Sequence, residues 1–488
     1  MITPTLAEFR ALAKSGKLVP VCRQVLADLE TPVSAFRKVD EGPYSFLLES
    51  VEGEERWGRF SLLGSRPSAV FVARGDRCEL HRAGTITPLP RHPLEELEDL
   101  LLQHQAIALP SLPQFCGGAV GYLGYDAARW FEPLPAGADD DLGLPTAVLL
   151  WSDVACVFDN VAHTLTVVTH ARGGNDPDAA YRAAAARVAA EVDRLCRPMP
   201  WTEPLPGAPP AAPRSAATRS GFVAAAARVR EQVLAGEVHR VVLSHRMTTR
   251  MTQPAFEAYR ALRVASPSSY MFFLRLGEFC IAGSSPQVLV RRADSVIETR
   301  PIAGSRPRGR GPEEDLRTEE ELLASEPDRA EHVLGVDLGR GDLGRVSAYG
   351  TVETPEFMRV ERRSQEMHLV SHVCGWLRPE LRPLDIVRAC FPAGAVTGAP
   401  KRRAMEIIAA LESQRRGVYA GAVGHFDYHG NVELCVALRT LVERGGTVHW
   451  GVGAGVAAES DPEQVWEDSL GQGRALWQAV QRAELGVA

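Results

Sequence analysis

Hydrophobic runs broken by short polar turns dominate this chain, and helical spacing interrupts them at intervals. Runs rich in branched apolar residues predict strands at Ala147–Asp159 and Thr164–Thr169, with Asn160–His163 as the turn between them. Further strands are predicted at Arg240–Ser244, Tyr270–Leu276, Phe279–Ala282, Val288–Arg292 and Val296–Thr299. Late ones follow at Gly421–Phe426, Val432–Leu441 and Val448–Gly451. Helices are predicted at Ala179–Cys196, Arg219–Leu234, Lys401–Leu411 and Asp461–Arg482. At the N-terminus, Thr5 with Glu8 three residues on reads as a capped helix start. Strands outnumber helices and often follow one another directly, which predicts an α+β fold rather than alternating βαβ units.

Residues 198–214, PMPWTEPLPGAPPAAPR, break the pattern: proline fixes φ and removes amide donors, so the segment reads as an extended linker. It divides an N-terminal part, 1–197, from a C-terminal part, 215–488. Lys and Arg total 54 against 61 Asp and Glu, a net charge of −7, which argues against nucleic acid or an anionic membrane as partner. No apolar run approaches the roughly 20 residues that span a bilayer. The first residues lack the basic and apolar regions of a secretory signal. The nine cysteines are dispersed with no CxxC spacing, as expected of free thiols in a reducing compartment. Cytoplasm is the expected location.

Phe391–Lys401, FPAGAVTGAPK, is a small-residue loop entering a helix, a place where backbone can approach an anion. A plain turn is an equal reading of that loop alone. Other segments accompany it: IETRPIAGSRPRG at Ile297–Gly309, EHVLGVDLGRGDLGRV at Glu331–Val346 and RGVYAGAVGHFDYHGNVELCVALR at Arg416–Arg439. Nearer the N-terminus stand LLES at Leu47–Ser50 and WGRFSLLG at Trp57–Gly64. In this order and spacing they resemble the large subunit of anthranilate synthase, within the chorismate-utilising enzyme family, over nearly the whole chain.

The resemblance implies two antiparallel sheets packed as a β-sandwich and flanked by helices. It also implies a lyase that binds chorismate and Mg²⁺, adds ammonia at C2 as the C4 hydroxyl departs, and eliminates pyruvate to give anthranilate for tryptophan biosynthesis. A separate glutamine amidotransferase subunit would supply the ammonia, since no Cys here sits in a nucleophile elbow. Carried over residue by residue, Asp328 and Glu331 match a metal-binding acidic pair, spaced to share one helical face, and Asp468 matches another metal carboxylate. His368 matches the histidine that assists proton abstraction, and Arg439 an arginine that fixes a chorismate carboxylate. Gly394, Gly398 and Lys401 match a loop beside the substrate, Gly453 and Gly455 a carboxylate cradle, and Ser305 a threonine. Ala303 stands where the aminodeoxychorismate branch has a lysine, which favours the anthranilate branch.

Other positions depart from the family pattern. Gln287 replaces a glutamate, the acid for the departing hydroxyl, and an amide gives up no proton at usable pH. Val465 replaces a metal carboxylate, so a weakened Mg²⁺ site is expected, and Gln472 replaces a substrate-side lysine. Glu467 lies about 200° around the helix from Val465 and is no simple substitute. Arg240 stands where ammonia-using relatives have Gln and water-using ones a basic Lys; arginine stays protonated and is no base. His425 and Gly451 replace a Tyr and a Gln. Two readings follow: a synthase of impaired activity, or a catalytically silent or diverged paralogue that holds a chorismate-like ligand or tryptophan. Glu49, Ser50, Tyr270 and Met271 match the lining of a tryptophan feedback pocket, with Ser269 in place of its proline.

Overall fold

The computed structural model describes residues 1–50, 58–110, 112–135, 138–199, 207–363 and 366–486. Trp57 of the WGRF motif and residues 200–206 of the Pro-rich segment lie outside them. The fold is α+β, with antiparallel strand pairing throughout its main sheets.

Two long strands, Phe60–Arg74 and Ala147–Asp159, pair with each other and belong to both layers of a sandwich. Their register shifts between Pro67 and Ala69, where proline has no donor to give and Arg66 turns to a φ of 50°. On one side of this bend the pairing continues through Tyr44–Glu49, Tyr270–Leu276, Phe279–Ser285, Thr440–Arg444, Thr447–Val456 and Arg240–Arg250. On the other it continues through Gly118–Leu123, Ala422–Asp427, Val432–Val436, Val288–Ala293, Val296–Thr299 and Glu366–Trp376. The last of these also pairs with Ile302–Pro307 and Glu353–Arg362.

Alternation along each strand explains the layering, since successive side chains face opposite sides of a sheet. In Tyr270–Leu276, Phe272 and Leu274 join Phe46, Val120, Tyr122, Ile281 and Val423 in the core between the sheets. Met271 and Phe273 face outward instead, onto a second core with Tyr259 and Leu262 of the helix Ala255–Ala265 and Leu476 and Val480 of the helix Arg474–Glu484. A third core lies outside the other sheet, with Phe71, Leu149 and Trp151. The strands on either side of residues 198–214 therefore share sheets: Tyr44–Glu49 pairs with Tyr270–Leu276, and Gly118–Leu123 with Ala422–Asp427.

Ala147–Asp159, Tyr270–Leu276, Val296–Thr299, Arg219–Leu234 and Lys401–Leu411 form as their sequences predict, and Thr5 and Glu8 make a reciprocal capping box. Two elements differ. The segment Asp461–Arg482 is two helices, Pro462–Gln472 and Arg474–Glu484, broken at Gly473, where a β-carbon would stand 2.9 Å from the Trp450 indole nitrogen. The segment Val432–Leu441 is split into Val432–Val436 and Thr440–Arg444 because Arg439 adopts a left-handed φ of 46°. Among the described residues no helix is long and apolar enough to cross a membrane.

Candidate active site

Arg439 opens the site. A non-glycine residue in the left-handed region costs on the order of 1 kcal/mol and persists only where its surroundings enforce it. Here the turn directs the guanidinium to Ser266 Oγ (3.1 Å) and Glu366 Oε2 (3.3 Å). Glu366 begins the strand Glu366–Trp376, and its carboxylate also lies 3.6 Å from His368 Nε2. On its other side the His368 ring hydrogen-bonds through Nδ1 with Ser305 Oγ at 2.8 Å, across the register pair Ser305–His368. Burial, with Arg363 and Arg439 nearby, lowers the His368 pKa to about 4 against the pull of Glu366. The ring is therefore neutral near pH 7 and able to accept a proton. Arg363 also donates to the carbonyl of Pro286 (3.5 Å), the residue before Gln287, which brings that segment to the same corner.

The second half of the site is built on Arg240, the first residue of Arg240–Arg250. That strand lies between the short bridge Gly398–Ala399 and the strand Thr447–Val456, with Val242 opposite Gly455 and Ser244 opposite Gly453. Gly398 has a φ of 141°, and a β-carbon there would stand 2.1 Å from the Arg240 carbonyl oxygen, so the close approach needs glycine. A β-carbon on Gly455 would meet the Arg240 guanidinium, 2.2 Å from Nε and 2.5 Å from Nη2. The third nitrogen, Nη1, lies 2.7 Å from Glu331 Oε1. Glu331 sits in the helix Glu326–Gly344, whose start is capped by Ser325 and which begins with Pro at its first turn. Asp328, one turn earlier, accepts from Arg306 Nη2 at 2.6 Å and packs beside Gly304.

The structure thus brings Ser305, His368 and Arg439 together through Glu366, and Arg240, Gly398, Gly455 and Glu331 together through the guanidinium. Gly394 packs its α-carbon against Leu338, and Lys401 reaches Asp342 (2.8 Å) and the Cys390 carbonyl (3.1 Å), so these two tie the loop to the helix Glu326–Gly344. Gly453 faces the Tyr419 hydroxyl, and Gly451 lies under the Tyr419 ring, where a β-carbon would come within 2.2 Å. Tyr419 lies within the Arg416–Arg439 motif and Glu366 two residues before His368, but nothing in the sequence marks a role for either, and only the fold reveals their neighbours.

His425 is not at this corner. It lines a cavity of about 340 Å³ between the sheets with Leu48, Glu49, Ser50, Tyr270 and Met271, stacked edge-on to Phe115. Burial lowers its pKa to about 4. The Glu49 carboxylate accepts a hydrogen bond from the Tyr259 hydroxyl and forms an ion pair with Arg263 (3.2 Å), both on the helix Ala255–Ala265. Desolvation raises its pKa against those two partners.

The donor set does not fit Mg²⁺, which needs several oxygen ligands near 2.1 Å. Glu331 and Asp328 each hold a guanidinium. Val465 is buried in the same apolar cluster as Phe222 and Trp466, with no donor to offer. Asp468 accepts from Gln464 on its own helix, Gln472 ends that helix, and Glu467 pairs with Arg219 at the surface. Among the described residues no group of three His, Cys, Asp or Glu side chains is arranged to hold a metal ion.

Comparison with known proteins agrees with this architecture. The chorismate binding enzyme family matches residues 44–475. Anthranilate synthase component 1 of Acetivibrio thermocellus is 38% identical over 99% of both chains, and that of Pseudomonas aeruginosa is 40% identical over 98% of this chain and 99% of its own. The crystal structure of anthranilate synthase component I from Streptococcus pneumoniae TIGR4 superposes with a TM-score of 0.77 at 30% identity, covering 93% of this chain and 99% of that one. With the family model spanning most of the chain, relatives about 40% identical over nearly its full length and a matching fold, the chain belongs to the chorismate-binding enzyme family.

Proposed function

We propose that the chain binds chorismate at the corner between Ser305, His368, Arg439 and the strand Thr447–Val456, and acts as the ammonia-using component of an anthranilate synthase. A separate glutamine amidotransferase supplies its ammonia. The observation that carries the reading is His368, bonded to Ser305 and joined to Arg439 through Glu366, in a chain similar along its full length to relatives named anthranilate synthase component 1. Arg439 holds a substrate carboxylate by a charged, fork-shaped contact once Glu366 yields it. Ammonia bonds to C2 as the double bonds shift and the C4–O bond breaks; the leaving hydroxide takes a proton from solvent, because Gln287 has none to give, and the new C2 ammonium loses one to solvent. The C3–O bond then breaks: the His368 ring accepts the C2 proton, the carbocycle becomes aromatic, and the departing enolpyruvate takes a proton at its methylene carbon to become pyruvate.

Turnover is slow on this reading, and the Arg240–Glu331 pair favours binding over chemistry. Purified protein given chorismate and a high concentration of ammonium salt at mildly alkaline pH is expected to give weak anthranilate fluorescence with matching pyruvate. Free ammonia bypasses the missing partner, so chorismate left unconsumed would overturn the synthase reading and leave a binding protein.

The cavity lined by Leu48, Ser50, Tyr270 and Met271 is the proposed feedback site for L-tryptophan. Its volume of about 340 Å³ falls at the small end for ligand pockets, and its lining mixes apolar walls with a few charged groups such as Arg291 and Glu433. Calorimetry is expected to show saturable heat with L-tryptophan and none with L-alanine; no heat at millimolar tryptophan would overturn it.

A further inference from the structure

We infer that the Arg240 guanidinium takes the place of the divalent cation, so that this site binds the ring carboxylate of a chorismate-type dicarboxylate without metal. The inference rests on the chorismate-binding reading and adds to it the source of the positive charge.

Three observations carry it. The guanidinium packs against Gly455, one of the two glycines that the resemblance assigns to a carboxylate cradle: a β-carbon there would stand 2.2 Å from Nε and 2.5 Å from Nη2. The Nε–Nη2 edge is a planar pair of donors, the geometry with which arginine grips a carboxylate through two parallel bonds. Its remaining nitrogen is fixed at 2.7 Å by Glu331, the carboxylate that would otherwise ligate a metal. A cation entering here would have to displace that ion pair and then sit beside a permanent positive charge. Second, Val465 offers nothing to the cation it would have to help hold, being packed with Phe222 and Trp466. Third, the pair is reachable: the Arg240 side chain is 24% exposed and that of Glu331 40%.

Arg240 and a metal ion differ in what they do to an anion. Both supply positive charge, but the guanidinium stays attached to Glu331 and is always protonated. Ligand affinity at this site is therefore indifferent to chelator.

The test is calorimetric titration of chorismate into the full chain in EDTA and again in excess Mg²⁺, with Arg240→Gln and Arg240→Lys alongside. Melting curves of each variant verify folding. The expected result is a wild-type Kd that agrees within about twofold between the two buffers. Arg240→Gln should weaken binding by about tenfold or more in EDTA, and Arg240→Lys, which keeps the charge and loses the fork, should fall between. Tightening of the wild type by tenfold in Mg²⁺, or unchanged binding by a folded Arg240→Gln, overturns the inference while the chorismate reading stands. Absence of heat in both buffers overturns the two together.

Discussion

Gln287→Glu raises the rate of anthranilate formation from chorismate and ammonium by about 10²-fold or more, the contribution typical of a positioned general acid. The position is prepared for it. The Gln287 amide faces Ser285 Oγ at 3.3 Å and its carbonyl accepts from Val436 at 3.0 Å, so the backbone is held from both sides. Arg363, which donates to the neighbouring Pro286 carbonyl, also lies close enough to His368 to depress its pKa. A carboxyl at 287 therefore stands on a fixed backbone next to Pro286, whose carbonyl Arg363 ties to the corner where the reaction is proposed. The measurement is the initial rate of fluorescence at saturating chorismate, with kcat and KM separated. A gain in kcat supports the missing-acid account. An unchanged kcat, with the variant folded, would move the block to Arg240. Restoring Val465→Glu as well is a poorer test, because it would bury a carboxylate in the apolar cluster around Trp466.

Arg416→Ala lowers the stability of the fold by about 3–5 kcal/mol, the usual cost of leaving one half of a buried ion pair alone. Arg416 is 2% exposed and its partner Glu412 8%; they meet at 2.6 Å. The guanidinium also donates to the carbonyls of Val396 and Val242 at 2.7 Å each, and it lies over the Tyr125 ring at 4.7 Å. Glu412 in turn accepts from the amide and hydroxyl of Ser244. One residue thus binds the loop Phe391–Lys401, the strand Arg240–Arg250 and the end of the helix Lys401–Leu411 into a single unit. Urea unfolding followed by tryptophan fluorescence should show the midpoint fall, whereas Arg10→Ala, which breaks an exposed pair with Asp178, should leave it unchanged. Joint replacement of Arg416 and Glu412 by apolar residues should cost less than Arg416→Ala, because no unpaired charge remains.

What the sequence shows of the fold follows from how strongly each element is patterned. Tyr270–Leu276 and Ala147–Asp159 are buried on both faces, so their apolar runs are nearly unbroken and their limits can be read directly. Glu353–Arg362 is polar and largely exposed at a sheet edge, and no apolar run marks it. Phe60–Arg74 contains Ser, Gly, Arg and Pro at its bend, which hides a strand that serves both sheets. At the site, His368 and Ser305 stand on neighbouring strands and Arg439 in the turn between two others, and only their motifs identify them beforehand. Arg240 is visible as an unusual residue, but its partner is not: Glu331 is distant in sequence and reaches it only because the Gly398 bridge and the helix Glu326–Gly344 flank the same strand end. His425 shows the opposite case. Its motif groups it with the reacting residues, yet strand alternation turns it into the cavity between the sheets.

The way the two parts of the chain share their sheets bears on how the protein is made. Tyr44–Glu49 finds one neighbour within its own vicinity and the other only at Tyr270–Leu276. Gly118–Leu123 waits longer, for Ala422–Asp427. With synthesis at about 5–20 residues per second, the first part leaves the ribosome roughly tens of seconds before its last partner strand does. Throughout that interval it presents open strand edges and the apolar faces of Val120 and Tyr122, part of whose cover, such as Phe272, Ile281 and Val423, has not yet been translated. Expression of the N-terminal part alone should therefore yield an aggregating chain, and production of the whole protein should depend on holdase chaperones for most of its translation.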